Sequence, residues 1–428
     1  MLFPQQRGRA LRNPMPRMAV QRAHPPQLVS NVTARAASMA LPLQSGIPHA
    51  QGNPMPALLR RPRLRALLAI TLLGLATLAH ARTPRVIGYV MDGPAPLQLT
   101  AEKLDVVNFA FAVVRPDGSV YLPDNVDPAR LHALVGKRAD NPSLQIVLSI
   151  GGWGAGNFSE AAASDAARTR FIDSSVALMH QFKLDGLDID WEYPTLGDAD
   201  ISHSPDDRQN FTVLLEQLRA RLDAEGQGKR HYLLTIAAAE GRAAAGLELP
   251  RIAKSLDWIN LMTYDFYGSL TKTTGHHAGL SASPLATVEG RTTEGAVKYF
   301  LDAGVPAEKI NVGVPFYGRT FGDVGSANQG RFQKFSSEGG FISWRDIVHT
   351  RLNNPDWEQH WDEQAQVPWL WNPKERRMVS YEDPRSLALK AEYVKRNGLG
   401  GIMYWEQRQD DNEQLLDVLH KALHDAQR

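Results

Sequence analysis

Asp188, Asp190 and Glu192 stand at every second position of the stretch Asp185-Gly186-Leu187-Asp188-Ile189-Asp190-Trp191-Glu192. Apolar and acidic residues alternate from Leu187 to Glu192, which is the period of a β-strand. On a strand the three acids share one face, each roughly 6.5–7 Å from the next, and Leu187, Ile189 and Trp191 share the other. Carboxylates aimed together into a medium of low polarity cannot all ionise, so a chain rarely keeps such a face for stability alone. Pro194 forbids the strand from continuing as a central ladder member, which sets Glu192 at its carboxyl end. Active sites gather at that end in parallel α/β sheets and barrels.

Three chemistries use acids so placed. A calcium loop also spaces its ligands by two, but it needs a glycine at its sixth position and a flexible loop, and here large apolar residues intervene. A magnesium-binding acid pair at a strand end is a second reading. Acid catalysis is the third, and the residue types favour it. A solvated acidic edge does not fit Leu187, Ile189 and Trp191 on the reverse face.

The pattern Asp185-x-x-Asp188-x-Asp190-x-Glu192, with Gly186, Trp191, Tyr193 and Pro194 around it, resembles the signature of the family 18 glycoside hydrolases, the chitinase family. Other segments carry the same resemblance. Ser149-Ile150-Gly151-Gly152-Trp153 is similar to the family's Ser-x-Gly-Gly element, which implies that Trp153 is a platform for sugar. Met262-Thr263-Tyr264-Asp265 is similar to its Met-x-Tyr-Asp motif and implies that Met262, Tyr264 and Asp265 stand at the same mouth as Glu192. Trp405, in Gly400-Gly401-Ile402-Met403-Tyr404-Trp405-Glu406, matches the tryptophan that floors the reacting sugar. Tyr89 and Phe111 match aromatics that line the pocket. Arg319, in Gly313-Val314-Pro315-Phe316-Tyr317-Gly318-Arg319, either anchors a neighbouring insertion or donates to sugar hydroxyls. His276 and His277 read as loop structure, since no metal-ligand spacing accompanies them.

The resemblance also implies a mechanism. The family is an exception among retaining glycosidases, because the substrate's own acetamido group is the nucleophile. Glu192 is then the general acid and base, Asp190 accepts the acetamido N–H, and Asp188 shares a proton with Asp190. Tyr264 orients the acetamido carbonyl and Asp265 supports the distorted sugar. Asp185, off the shared face, reads as structural. The expected partner is chitin or another N-acetylglucosamine-containing glycan. No cofactor and no metal are expected. An endo-β-N-acetylglucosaminidase, a cell-wall glycan hydrolase and a non-catalytic carbohydrate-binding relative are the alternatives.

These residues need a scaffold that delivers them to one rim. Apolar, β-branched runs recur at 85–91, 105–113, 144–150, 184–190, 231–238, 257–263, 309–315 and 399–405. Helical patterns lie between several of them, as at 206–223 and 293–303, and a leucine stripe marks 412–426. Eight strands alternating with helices predict a (β/α)8 TIM barrel. No Gly-x-Gly-x-x-Gly follows the first run, so a dinucleotide domain has no support. Residues 318–380 are too long and too aromatic for a loop, with Phe332, Phe335, Phe341, Trp344, Trp357, Trp361, Trp369 and Trp371, and predict a small inserted subdomain between strands seven and eight; the family resemblance implies that it is α+β.

Charge divides the chain. Residues 1–81 hold ten arginines and no lysine, aspartate or glutamate, which leaves 37 basic against 46 acidic residues in 82–428. That mildly acidic part has no basic nucleic-acid footprint. Residues 60–65 are basic, 66–78 form an apolar run without charge, and Ala79-His80-Ala81 has the small-x-small form of a cleavage site. The order predicts a signal peptide over 55–81, export with cleavage near Ala81, and no stable membrane span in the mature chain. Residues 1–54 read as a non-native or disordered extension before a start at Met55, the rival being a basic tail ahead of a weak anchor. With no cysteine, neither disulfides nor thiolate chemistry is available.

Overall fold

The computed structural model describes residues 83–93, 97–287 and 291–424. Eight parallel strands, Arg85–Met91, Val106–Val114, Gln145–Gly151, Gly186–Asp190, Leu233–Ala238, Trp258–Leu261, Ile310–Pro315 and Gly401–Trp405, form one sheet. The first pairs with both the second and the eighth, so the sheet closes into a barrel. Each lies within a few residues of an expected run. The expected leader and extension over residues 1–81 lie outside the described residues.

Local signals explain the crossover helices. Asp165–Gln181 starts at Ser164, whose side chain accepts from the Ala167 amide, and Thr293–Asp302 starts at Thr292 in the same way. Pro384–Arg396 opens on a reciprocal cap between Asp383 and Ser386. Asp207–Gly226 and Gln414–His424 bury their leucines against the barrel. Between the first and second strands the described residues carry only the 3₁₀ turn Ala101–Lys103. Among the described residues no helix is long and apolar enough to cross a membrane.

The two faces of the fourth strand part company as alternation requires. Leu187, Ile189 and Trp191 are buried among the surrounding helices. Trp191 stacks on Phe158 at 5.4 Å and meets the edge of Phe211 at 5.2 Å. Inside the barrel, fully buried polar residues from successive strands face one another: Asn108, Ser149, Asp188, Thr235, Asn260 and Asn311. Ser149 and Thr235 are the register partners of Asp188 on either side.

The insertion after the seventh strand is a five-stranded antiparallel sheet, in the spatial order Ser337–Ser343, Tyr317–Gly322, Arg377–Ser380, Val367–Asn372 and Glu358–Asp362, with the short helix Trp344–Ile347. Phe321, Trp369, Trp371 and Met378 pack on Phe266 and Tyr267 from the loop after the sixth strand. Asp362, 5 % exposed, accepts from Arg331 at 2.7 Å and Ser283 at 2.8 Å, and lies 3.0 Å from His276 Nε2. His276 thus joins that loop to the insertion, beyond the plain loop role its spacing suggests.

Candidate active site

Depth along the fourth strand separates the three acids. Asp188 is fully buried, and both of its oxygens are taken. Tyr89 and Ser149 donate to Oδ2 at 2.7 and 2.8 Å, and Thr235 and Asn260 donate to Oδ1 at 2.6 and 3.4 Å. Burial lifts its carboxyl above the usual range, and these donors oppose the rise. One pleat outward, Asp190 is 4 % exposed and its Oδ1 has no hydrogen-bond partner among the described residues. Burial first, then the charges of Glu192 and Asp188, push its carboxyl well above the usual range. The stronger upward push thus falls on Asp190, because donors offset the effect of burial at Asp188.

Glu192 follows at the mouth, half-buried. Burial raises its carboxyl to about 7, the nearby charge of Asp265 adds to the rise, and the Tyr193 hydroxyl works against it. The half-ionised condition of such a group near neutrality suits a general acid that must later act as base.

Gly151 and Gly152 explain how the third strand comes so close. A Cβ on Gly151 would stand 2.0 Å from the Asp190 carbonyl oxygen, and its φ of +125° disfavours side chains. The Gly152 amide donates to that same oxygen at 2.9 Å, and a Cβ there would enter the ring of Phe111.

Aromatic residues cluster at the same end of the barrel as these acids. Trp405 stacks on Phe111 with centroids 5.5 Å apart and tilts against Tyr89 at the same distance. Trp153 is 55 % exposed and meets Tyr193 edge-on at 6.3 Å. Tyr264, half-buried, lies edge-to-face with Tyr317 at 6.2 Å, and glycine at 313 leaves room for its ring. Met262 packs in the barrel interior beneath this layer. Tyr89 differs from its expected place. It is 1 % exposed and spends its hydroxyl on Asp188, inside the barrel.

Asp265 sits at φ +57° just past the sixth strand. Burial alone would raise its carboxyl, but His277 and Arg319 overcome that and hold it well below the usual carboxylate range. Arg319 Nε donates to Oδ1 at 2.7 Å, and His277 Nδ1 lies 3.5 Å from the same oxygen. Arg319 also lies over the exposed ring of Phe341, 3.9 Å from its centroid. Arg319 thus ties the insertion's first strand to a carboxylate of the barrel, which is the anchoring choice of the two left open for it. Asp185 accepts from Arg138, from Arg230 at 2.7 Å and from the Ile146 amide at 2.7 Å, which ties strand starts together away from the mouth.

Sequence reasoning did not single out Tyr193, Tyr317 and His277 as site residues, nor Ser149, Thr235 and Asn260 as the donors to Asp188. Polar residues at inward positions of strands beside the acidic one were the available signal for the donors. Among the described residues no group of three or more His, Asp or Glu side chains is placed to hold a metal ion.

Comparison with known proteins gives one answer at several ranges. The description "Glycosyl hydrolases family 18" matches residues 85–410. Chitinase A1 of Niallia circulans is 37 % identical over 368 residues, covering 78 % of this chain and 52 % of its own length. Chitinase 1 of Aphanocladium album is 32 % identical over 356 residues, with 77 % and 81 % covered. The solved structure of a family 18 N-acetylglucosaminidase from Paenibacillus barengoltzii superposes with a TM-score of 0.75 at 38 % identity, covering 79 % of this chain and 100 % of that one. The chain spans about half the length of Chitinase A1.

Proposed function

Because this chain belongs to glycosyl hydrolases family 18 and is therefore a glycoside hydrolase, we propose that it is a chitinase, cleaving β-1,4-linked N-acetylglucosamine chains with retention of configuration. The observation that carries the reading is Glu192, half-buried at the barrel mouth with its carboxyl raised to about 7, directly outward of Asp190. Ordinary retaining enzymes need a second carboxylate as nucleophile. Substrate assistance removes that need.

In the first step Glu192 gives its proton to the glycosidic oxygen as the C1–O bond breaks. The acetamido carbonyl oxygen forms the new bond to C1, giving a bicyclic oxazolinium ion. Asp190 accepts the acetamido N–H through its unpartnered oxygen, and its charge stabilises the cation. Its proton moves inward to Asp188, one pleat deeper, as the growing positive charge of the sugar favours the ionised form of Asp190 over the repulsion from its neighbour. Tyr264 orients the carbonyl, and Trp405 floors the sugar. In the second step Glu192, now ionised, takes a proton from water, which attacks C1 and opens the ring on the original face. Sugars lacking the N-acetyl group have no nucleophile and should be inert.

A second reading has support from a particular observation. The Paenibacillus barengoltzii structure matches over its whole length and carries the description N-acetylglucosaminidase, so release of single N-acetylglucosamine units is the rival to cleavage within chains. A binding protein without catalysis fits less well, since Glu192, Asp190 and Tyr264 stand together. Export after cleavage near Ala81 belongs to the same proposal and rests on the basic and apolar order of 60–81. Soluble chitin oligosaccharides, an N-glycan glycopeptide and peptidoglycan, offered side by side, test the substrate. Turnover of the first alone is expected. Turnover of the glycopeptide or peptidoglycan with chitin oligosaccharides inert would overturn the reading.

A further inference from the structure

We propose that His277 is a positioning residue for Asp265, the donor that fixes this carboxylate when glycan fills the site; the proposal rests on the function above. The ring is fully buried, and neither of its nitrogens has a hydrogen-bond partner among the described residues. An imidazole buried without partners is costly, and such exceptions call for an explanation. The nearest acceptor is Asp265 Oδ1, 3.5 Å from Nδ1. That is just beyond a good hydrogen bond, and contacts in empty active sites tighten when the substrate arrives.

The surroundings are built to present this ring and no other part of the loop. The His277 amide donates to Ser380 Oγ at 2.8 Å, at the end of the insertion's sheet. Its carbonyl accepts from the amide of Phe266, the neighbour of Asp265, at 3.0 Å. The next carbonyl, Ala278, accepts from Lys390, whose ammonium is fully buried and pairs with Glu382. Barrel, insertion and a crossover helix therefore each hold the backbone beside His277. The ring itself tilts against Tyr317 at 5.4 Å. Facing it are the carboxylate of Asp265, the phenol of Tyr317, the guanidinium of Arg319 and the ammonium of Lys390, with Glu382 behind the last. Burial, with Arg319 and Lys390 adding to it, keeps the imidazole neutral, so one nitrogen carries a proton and the other does not.

Arg319 Nε holds Oδ1. A short rotation of Asp265 closes the 3.5 Å gap, after which His277 Nδ1–H and Arg319 grip one oxygen between them. His277 touches no reacting atom; it acts through Asp265.

Three variants and one titration test this. His277→Asn places an amide N–H near the position of Nδ1, His277→Leu fills the space without a donor, and His277→Ala does neither. On a chitin tetrasaccharide at pH 6, the Ala and Leu variants should lose about tenfold or more in kcat with KM changed little, while Asn retains most of the rate. Equal activity of the Leu and Asn variants would assign His277 to packing and overturn the proposal. Separately, the imidazole of His277 is followed by nitrogen-detected NMR in the full chain and in Asp265→Asn. Removing the carboxylate should move the titration to lower pH, and an unchanged titration would also overturn it. The NMR arm needs no turnover. A chain inactive on chitin oligosaccharides whose His277 still responds to Asp265→Asn would therefore fail the chitinase reading while leaving this coupling in place.

Discussion

Glu192, Asp190 and Asp188 carry the same functional group and differ only in depth and neighbours. Donors fill Asp188, burial and then repulsion push the Asp190 carboxyl well above the usual range, and Glu192 is poised near neutrality. The sequence shows the three acids on one face because strand period alone dictates it. It does not show which acid holds the proton, since that depends on Ser149, Thr235, Asn260 and Tyr89 arriving from four other strands. The proposed mechanism starts from protonated Glu192, so kcat/KM should fall as pH rises through about 7. A pH–rate profile with its basic limb below 5 would contradict this. The same shift affects folding. A folded-state value above the unfolded one favours the fold while the group is protonated, and that benefit is lost as pH rises through about 7. Glu192→Gln should therefore melt close to wild type at pH 4 and above it at pH 8, measured by calorimetry.

Strand order decides which of these side chains meet. The third and fourth strands touch so closely at the rim that only glycine fits at 151, where a Cβ would lie 2.0 Å from the Asp190 carbonyl oxygen. Gly151→Ala should destabilise the fold by about 1–3 kcal/mol from backbone strain alone and shift Asp190. Chemical denaturation measures the first effect and kcat the second, and wild-type values for both would refute the close-approach argument. A Gly-Gly pair after a strand was legible as a site for close approach. What approaches it was not, because the contact is between backbones of two strands and leaves no trace in side-chain pattern. Tyr89 gives the opposite lesson. Its place at a strand end suggested a pocket wall, yet an even pleat and a long side chain carry its hydroxyl inward to Asp188.

At the scale of the molecule, barrel and insertion build one site between them. Asp265 comes from the barrel, while Arg319 and Tyr317 come from the insertion's first strand. The insertion's existence was legible in its length and aromatic residues, and its α+β type only through the family resemblance; its docking was not, since that rests on Asp362 gathering His276, Ser283 and Arg331 from distant segments. Asp362→Ala strands the buried partners and should cost roughly 3 kcal/mol or more. It should also raise KM for long oligosaccharides, because Arg319 and Phe341 ride on the same sheet; unchanged stability and KM would show the clamp to be idle. The central claim is that Glu192 is the acid of a retaining, substrate-assisted hydrolase. The most direct measurement is turnover of a chitin hexasaccharide by purified Glu192→Gln protein, with binding of the same sugar followed by calorimetry. A loss of roughly 10²–10⁴-fold in rate with binding retained is expected. Undiminished turnover by the folded variant would contradict it.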